Sequence, residues 1–173
     1  MKIEIEQIPE GVSFHKFECR PEEIDLSVEG FVFISPVVAN LKIYRQIDKF
    51  FINFEMSVNI ESECFRCLSP VRMALSALSE VQYRPLPKLP KDRLDDIGIG
   101  YYSDEYIDLS DEVRESLLLE VPMTVLCSED CKGLCPHCGA DLNLGECNCS
   151  EYSEVHLSKL AYLIKSLELK KEV

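Results

Sequence analysis

The clearest pattern in the chain is an alternation of apolar and polar side chains between residues 52 and 83. Even positions from 52 to 60 are apolar and odd ones are polar, whereas odd positions from 71 to 83 are apolar, Ser79 excepted. A period of two is typical of strands with one buried and one solvated face. The two runs flank Cys64-Phe-Arg-Cys67-Leu-Ser-Pro70. We therefore predict an antiparallel hairpin over residues 51–83 with a Cys-x-x-Cys knuckle at its tip.

Shorter apolar runs separated by turn residues predict further strands before the hairpin. Pro9-Glu10-Gly11 and Ser35-Pro36 interrupt these runs and indicate turns. Residues 84–105 are different, because three prolines and several charged side chains indicate a linker or excursion. The predicted short strands cover residues 2–6, 12–19, 30–34 and 37–45.

Two segments have helical periodicity. Over residues 109–121, Leu109, Val113, Leu117 and Val121 recur every four positions; Asp108 or Ser110 can cap the start, and Pro122 ends the helix. A second helix is predicted over residues 154–169. Its apolar stripe is Leu157, Leu160, Ala161, Ile164 and Leu167.

These elements predict an α+β fold: an antiparallel β-sheet or partly open barrel with two helices and one or two structural zinc knuckles. Residues 1–83 form the β region and 84–105 the linker. Residues 106–173 hold the helices and the cysteine-rich stretch, and we expect them to make one compact unit with 1–83.

Composition and charge narrow the function. Apolar residues make up 46% of 173 residues, yet no apolar run approaches the ~18 residues of a membrane span. The N-terminus lacks the apolar stretch of a signal peptide, so we expect a cytoplasmic protein with reduced thiols. The net charge of -13 and the absence of a basic face argue against nonspecific phosphate binding.

Six of the nine cysteines lie within residues 127–149, and Cys135-Pro-His-Cys138-Gly139 has the form of a zinc knuckle. A Cys-x-x-Cys turn aims two thiolates at one metal, and Zn²⁺ takes four such ligands tetrahedrally. The alternative is a free or disulfide-bonded set, and the reducing cytoplasm disfavours the disulfides. We predict two zinc ions per chain and expect Cys19 to be a small, inert, buried residue.

The expected grouping follows from loop closure. Cys135, Cys138, Cys147 and Cys149 form a local site. Cys64, Cys67, Cys127 and Cys131 form the other, closing a 59-residue gap at ~3–4 kcal/mol, below the ~10–16 kcal/mol of a structural zinc. The alternative grouping joins Cys127, Cys131, Cys135 and Cys138.

Catalysis is not indicated, because the P-loop, H-E-x-x-H and G-x-S-x-G motifs are missing and four-thiolate sites are closed. Two other function classes remain open. A zinc-dependent regulator of DNA or a transcription complex needs basic side chains near the knuckles, where Arg66 and Arg72 are the best-placed candidates for a nucleic-acid contact. A thiol redox protein or redox-controlled chaperone needs an exposed, low-pKa thiolate that a metal would quench.

Several motifs between residues 63 and 149 resemble the YceD family of large ribosomal RNA subunit accumulation proteins. They include Glu63-Cys64-Phe-Arg-Cys67-Leu, Val121-Pro122-Met-Thr-Val-Leu-Cys127 and Cys131-Lys-Gly-Leu-Cys135-Pro-His-Cys138-Gly, with Cys147-Asn-Cys149 after them. The resemblance implies a non-enzymatic role in 23S ribosomal RNA accumulation and large-subunit assembly, in a bacterial or plastid context. Some members keep only the first Cys-x-x-Cys, which implies that the Cys135 stretch is an accessory module.

The charge then suggests the kind of partner. Eighteen Lys and Arg against 31 Asp and Glu repel free RNA and attract basic large-subunit ribosomal proteins or an assembly particle. We expect weak or no binding to free RNA and no membrane partner. The predicted protein-binding face lies within residues 92–120 and includes Asp104, Glu105, Asp111, Glu112 and Glu115.

Overall fold

The computed structural model describes residues 1–86, 98–103 and 105–149. By its contacts the chain divides into two compact units. The first, here called the sheet unit, comprises Met1–Ser62 and Pro70–Met123. The second, the cysteine unit, comprises Glu63–Ser69 and, among the described residues, 124–149. The three segments predicted from the sequence, 1–83, 84–105 and 106–173, are continuous stretches of chain, whereas each of these units combines two separate stretches.

The described residues contain eight strands and one α-helix. One-turn 3₁₀ helices occur at Ile5–Gln7 and Pro21–Ile24. The strands are β1 Lys2–Glu4, β2 Gly11–Cys19, β3 Phe31–Phe33, β4 Val37–Gln46, β5 Lys49–Glu63, β6 Pro70–Pro85, β7 Ile99–Tyr102 and β8 Tyr106–Asp108, and the helix is α1 Ser110–Leu119.

The main sheet is open and mostly antiparallel. Its order is β2-β4-β5-β6-β7, with β3 also paired to β5, and β1 pairs with β8 in a separate two-stranded sheet. The partners Leu41↔Phe54 and Ile43↔Ile52 show the register of β4 and β5. Because the path from β2 to β7 does not close within the described residues, the alternative of a partly open barrel is replaced by an open sheet.

Strand β7 departs from the expected linker. It lies inside residues 84–105 and pairs in parallel with β6, Tyr83 opposite Gly100. A run of four residues without alternation of buried and exposed positions carries no local strand signal. The described ends of this segment therefore extend the sheet.

The predicted alternation sets the core. The even positions of β5 from Phe50 to Ile60 are buried, and so are Leu75, Ala77, Val81 and Tyr83 on β6. Helix α1 packs against β6; its residues Val113 and Leu117 are completely buried, and so is Leu109, the residue before the helix. Three of the four residues in the predicted helical stripe are thus confirmed as buried. Val121 lies beyond the helix, which ends at Leu119, and is half-buried.

The helix predicted over residues 154–169 lies outside the described part of the chain, so α1 is the single α-helix among the described residues. No helix in that part is long and apolar enough to cross a membrane. The described fold is a mixed, largely antiparallel sheet with one helix.

Candidate metal centres

The loop between β5 and β6 forms a tight turn that presents two cysteines. Leu68 N–H donates to the Cys64 carbonyl at 2.9 Å, and Cys64 N–H donates to the Ser69 carbonyl at 2.8 Å. Leu68 itself has a φ of 61°, in the left-handed region that lets the chain reverse. The turn places Cys64 and Cys67 on one side, as the Cys-x-x-Cys spacing requires.

Four sulfurs meet at this loop. We call Cys64, Cys67, Cys127 and Cys131 the hairpin cluster, in which every sulfur lies within 4.8 Å of the others. The Sγ atoms of Cys64 and Cys131 are 3.8 Å apart, and those of Cys67 and Cys127 are 3.6 Å apart. A tetrahedron with metal–sulfur bonds of ~2.3 Å has edges of ~3.8 Å, whereas a disulfide needs ~2.05 Å. The geometry matches a four-thiolate metal site with free cysteines.

Backbone contacts hold the distant segment beside the loop. Phe65 N–H donates to the Val125 carbonyl at 2.8 Å, and Leu134 N–H donates to the Arg66 carbonyl at 3.1 Å. The guanidinium Nη1 of Arg66 donates to the carbonyls of Cys131 at 2.8 Å and Glu129 at 3.4 Å. The knuckle therefore binds its partner segment through main-chain groups as well as through the cysteines.

A second set of sulfurs forms within a single short segment. We call Cys135, Cys138, Cys147 and Cys149 the local cluster, whose sulfurs are likewise within 4.8 Å of one another. Gly139 has a φ of +74°, and its N–H donates to the Cys135 carbonyl at 2.9 Å. His137 N–H points at the Cys135 sulfur from 3.5 Å. The structure thus brings together the same two sets that the sequence grouped, and each can hold a metal ion.

In the hairpin cluster without a cation, the surroundings lower the pKa of one thiol and raise the pKa of another. Burial raises the pKa of Cys64, but N–H groups at Cys127 and in the loop outweigh it and lower that pKa to about 6. The sulfurs of Cys131 and Cys67, followed by burial, raise the pKa of Cys127 to about 12. The cluster therefore forms one thiolate readily and retains a proton on another.

The local cluster behaves alike. Backbone N–H groups of Cys138 and His137 lower the pKa of Cys135 to about 6. The sulfur of Cys138, followed by burial, raises the pKa of Cys149 to about 12. Four thiolates this close repel one another, and a divalent cation removes that repulsion. Both clusters have the chemistry of a metal site.

The two clusters differ in exposure. In the hairpin cluster only Cys127 is exposed, whereas in the local cluster Cys135 alone is buried. Cys19 lies on β2, half-buried, and belongs to neither cluster; burial raises its pKa.

The acidic residues predicted as a protein-binding face lie around α1. Asp111, Glu112 and Glu115 line a cleft of about 420 Å³ together with Asp108 and Tyr83. Burial raises the pKa of Tyr83, and the negative charges of Glu112, Asp108 and Asp111 raise it further. Glu105 lies in the exposed turn before β8, and Asp104 lies outside the described residues.

Both arginines proposed as nucleic-acid contacts already have protein partners. Arg66 binds the carbonyls described above, in the cysteine unit. Arg72 pairs with Glu61 at 2.5 Å, in the sheet unit.

Two features escaped the sequence reasoning. An open groove of about 790 Å³ runs across the solvent-facing side of the sheet, where Phe14 and Leu78 are exposed by 75% and 80%. In addition, the Asn143 side chain donates to the Cys131 sulfur at 3.4 Å. Asp141-Leu-Asn143 is an Asx-turn pattern, which could have indicated a structured loop but not its target.

Comparison with known proteins gives a family match. The model of the family described as "Large ribosomal RNA subunit accumulation protein YceD" matches residues 52–164, which include both clusters. An uncharacterized protein of Mycobacterium tuberculosis is 40% identical over 81 residues, covering 46% of this chain and 39% of the relative. The maize chloroplastic YCED homolog 1, a large ribosomal RNA subunit accumulation protein by name, is 26% identical over 159 residues, covering 76% and 54%.

A third relative, the Arabidopsis thaliana chloroplastic YCED homolog 1, is 44% identical over 43 residues, covering 25% of this chain and 13% of the relative. The chain thus spans about half or less of the length of these curated relatives. No solved structure matches the chain.

Proposed function

Because the chain belongs to the YceD family, we propose that it is a non-enzymatic factor in 23S ribosomal RNA accumulation and large ribosomal subunit assembly, structured by zinc. The observation that carries the proposal is that the family match contains all eight cysteines of the two clusters. The maize and Arabidopsis relatives, named for accumulation of the large ribosomal RNA subunit, supply the ribosomal context. The expected location is the cytoplasm, where ribosomes are assembled in bacteria.

Zinc is the metal that fits the clusters best. In the hairpin cluster, sulfur separations of 3.6 and 3.8 Å suit a tetrahedral site of four soft ligands. The local cluster offers the same four ligands, all within 4.8 Å of one another. Four protein ligands leave no open position for a substrate or an activated water. The metal therefore holds a shape and performs no reaction.

The cysteine unit needs such a metal because its apolar core is small. Apart from cysteines, Val125 is the single buried apolar residue among the described residues of this unit. A structural zinc contributes ~10–16 kcal/mol in small modules, comparable with the ~5–15 kcal/mol stability of a whole domain. We expect the cysteine unit to lose its structure when the metal is removed.

The direct partner is a basic protein, such as a large-subunit ribosomal protein or an assembly particle. The cleft beside α1 presents Asp108, Asp111, Glu112 and Glu115. Arg114 pairs with Asp111 at 3.1 Å and with Glu115 at 3.7 Å. The N-terminal amino group and Lys2 pair with Asp108 at 3.6 Å and 3.9 Å, so the four carboxylates still outnumber these three cations. Such a surface attracts cations and repels phosphates. Arg66 and Arg72, already engaged, allow at most a local RNA contact.

A pull-down from cell extract, with and without nuclease, tests this function, together with a gel shift on naked 23S fragments at physiological salt. Recovery of basic ribosomal proteins or assembly factors that survives nuclease supports the proposal. Tight, nuclease-sensitive binding to bare RNA overturns the choice of partner.

A matched pair of variants tests the surface. Asp111→Asn with Glu115→Gln should reduce recovery several-fold, because both carboxylates line the acidic cleft. Glu10→Gln with Glu29→Gln changes the net charge equally at exposed positions elsewhere and should leave recovery unchanged. Equal losses from both pairs would show that net charge alone, and not the cleft, governs binding.

A further inference from the structure

The Asn143 side chain connects the two cysteine clusters. In sequence it lies between Cys138 and Cys147, which belong to the local cluster. In space its Nδ2 donates to the sulfur of Cys131, a member of the hairpin cluster, at 3.4 Å. Its Oδ1 accepts from Lys132 N–H at 2.8 Å. One amide therefore holds both a sulfur of the hairpin cluster and the peptide that follows it.

The backbone around Asn143 is arranged to deliver this contact. Leu142 N–H donates to the Gly133 carbonyl at 2.9 Å, so residues 140–143 run back beside residues 131–135. Asp141 Oδ1 accepts from Asn143 N–H at 2.9 Å and from its Nδ2 at 2.7 Å. These bonds fix the orientation of the amide, with the nitrogen directed at sulfur and the oxygen at a backbone donor.

Closure of the local cluster decides whether this loop is ordered. Residues 139–146 are bounded by Cys138 and Cys147, and the loop has little apolar burial of its own: Leu144 is 89% exposed. Ordering a loop of this length costs conformational entropy that such few contacts do not offset. A metal in the local cluster joins both ends of the loop and thereby keeps Asn143 beside Cys131.

We propose that Asn143 couples the two clusters, so that a metal in the local cluster raises the metal affinity of the hairpin cluster. This inference rests on the proposed metal binding. An N–H donor directed at a thiolate stabilises its charged, metal-binding form, and such outer hydrogen bonds typically change metal affinity ~10–100-fold. By linkage, a metal in the hairpin cluster raises the affinity of the local cluster by the same factor.

The test is a double-mutant cycle on the full chain, with cadmium as the probe metal. Cadmium-113 NMR gives a separate signal for each four-thiolate site, and titration with a competing chelator gives the affinity of each. The variants are Asn143→Ala, Cys147→Ser with Cys149→Ser to disable the local cluster, and their combination. Asn148→Ala is the matched control, because Asn148 donates to no sulfur among the described residues.

Asn143→Ala and the disabled local cluster should each lower the affinity of the hairpin cluster by about 10-fold. In the combined variant, disabling the local cluster should lower the metal affinity of the hairpin cluster by less than about 2-fold relative to Asn143→Ala alone, because the coupling contact is already absent. Asn148→Ala should change nothing. Asn143→Asp should lower the affinity more than Asn143→Ala, since the carboxylate retains the acceptor for Lys132 N–H but repels the thiolates.

Several results would overturn the inference while the proposed function stands. They are two bound metals with an unchanged affinity in Asn143→Ala, full additivity in the combination, an equal loss in Asn148→Ala, or wild-type affinity in Asn143→Asp. A chain that binds no cadmium or zinc overturns the coupling and the proposed structural role of zinc together.

Discussion

Gly133 and Gly139 have nearly the same backbone conformation but different surroundings, which makes them a matched pair. Their φ angles are +76° and +74°. A Cβ on Gly133 would lie 3.1 Å from the Arg66 carbonyl oxygen, whereas a Cβ on Gly139 would meet nothing within 4 Å. Substitution by alanine therefore imposes the same backbone strain at both positions and a steric contact at only one.

The magnitudes follow from these two effects. An L-residue in the left-handed region costs about 1–2 kcal/mol, and the gain from a less flexible unfolded chain is common to both variants. Gly133→Ala must also displace the Arg66 carbonyl, whose 3.1 Å hydrogen bond from Leu134 N–H contributes about 0.5–1.5 kcal/mol. We expect losses of about 1–2 kcal/mol for Gly139→Ala and about 2–3 kcal/mol for Gly133→Ala.

The measurable quantity is the overall constant for loading both metals, because strain in the folded cysteine unit lowers it wherever the strain lies. Chelator competition should show a reduction of about 5–30-fold for Gly139→Ala and about 30–150-fold for Gly133→Ala. Native mass spectrometry checks that each variant still binds two metals. Equal losses, or a larger loss for Gly139→Ala, would refute the claim that residues 131–134 pack against the turn that holds Cys64 and Cys67.

Three further predictions concern the ligands, the pH dependence and the core. Cys67→Ser should cost one metal per chain by elemental analysis, while Cys19→Ser should keep both; loss of metal in the Cys19 variant would contradict the grouping. Because the pKa of Cys127 is raised to about 12 without metal, it carries a proton at pH 7 that binding must release. Metal affinity should therefore fall as the pH is lowered, with release of at least one proton per metal in calorimetry across buffers, and a pH-independent affinity would be inconsistent with thiol ligands. Leu117→Ala should lower the free energy of unfolding by about 2–5 kcal/mol in urea, and Leu119→Ala, 85% exposed, by less than about 0.5 kcal/mol; similar losses would contradict the assigned buried face of α1.

The spacing of apolar residues along the sequence was sufficient to predict strand β5 and helix α1. The alternation on β5 and the four-residue repeat over residues 109–121 require no knowledge of distant residues. The even positions of β5 are buried as expected, and so are Leu109, Val113 and Leu117 of the helical stripe. The convergence of the cysteines follows from chemistry, since four soft ligands at knuckle spacing favour one tetrahedral arrangement. These parts of the fold and of the site were accessible from the sequence.

What depends on pairing between distant segments was not accessible. Strand β7 is recognisable only through its parallel pairing with β6. Likewise, Lys2–Glu4 forms a strand by pairing with Tyr106–Asp108, more than 100 residues further along the chain. Nor did the sequence indicate that the Arg66 guanidinium donates hydrogen bonds to main-chain carbonyls over 60 residues away. The Asn143 contact was missed for the same reason, because its hydrogen-bond geometry depends on how two loops meet.

The most direct test of the central claim is the metal content of the full chain, purified under reducing conditions without added metal. Elemental analysis combined with native mass spectrometry should find two zinc ions per chain. Removal of the zinc by a chelator should unfold the cysteine unit. Less than one zinc per chain, or a chain whose cysteine unit keeps its structure after chelation, would contradict the account.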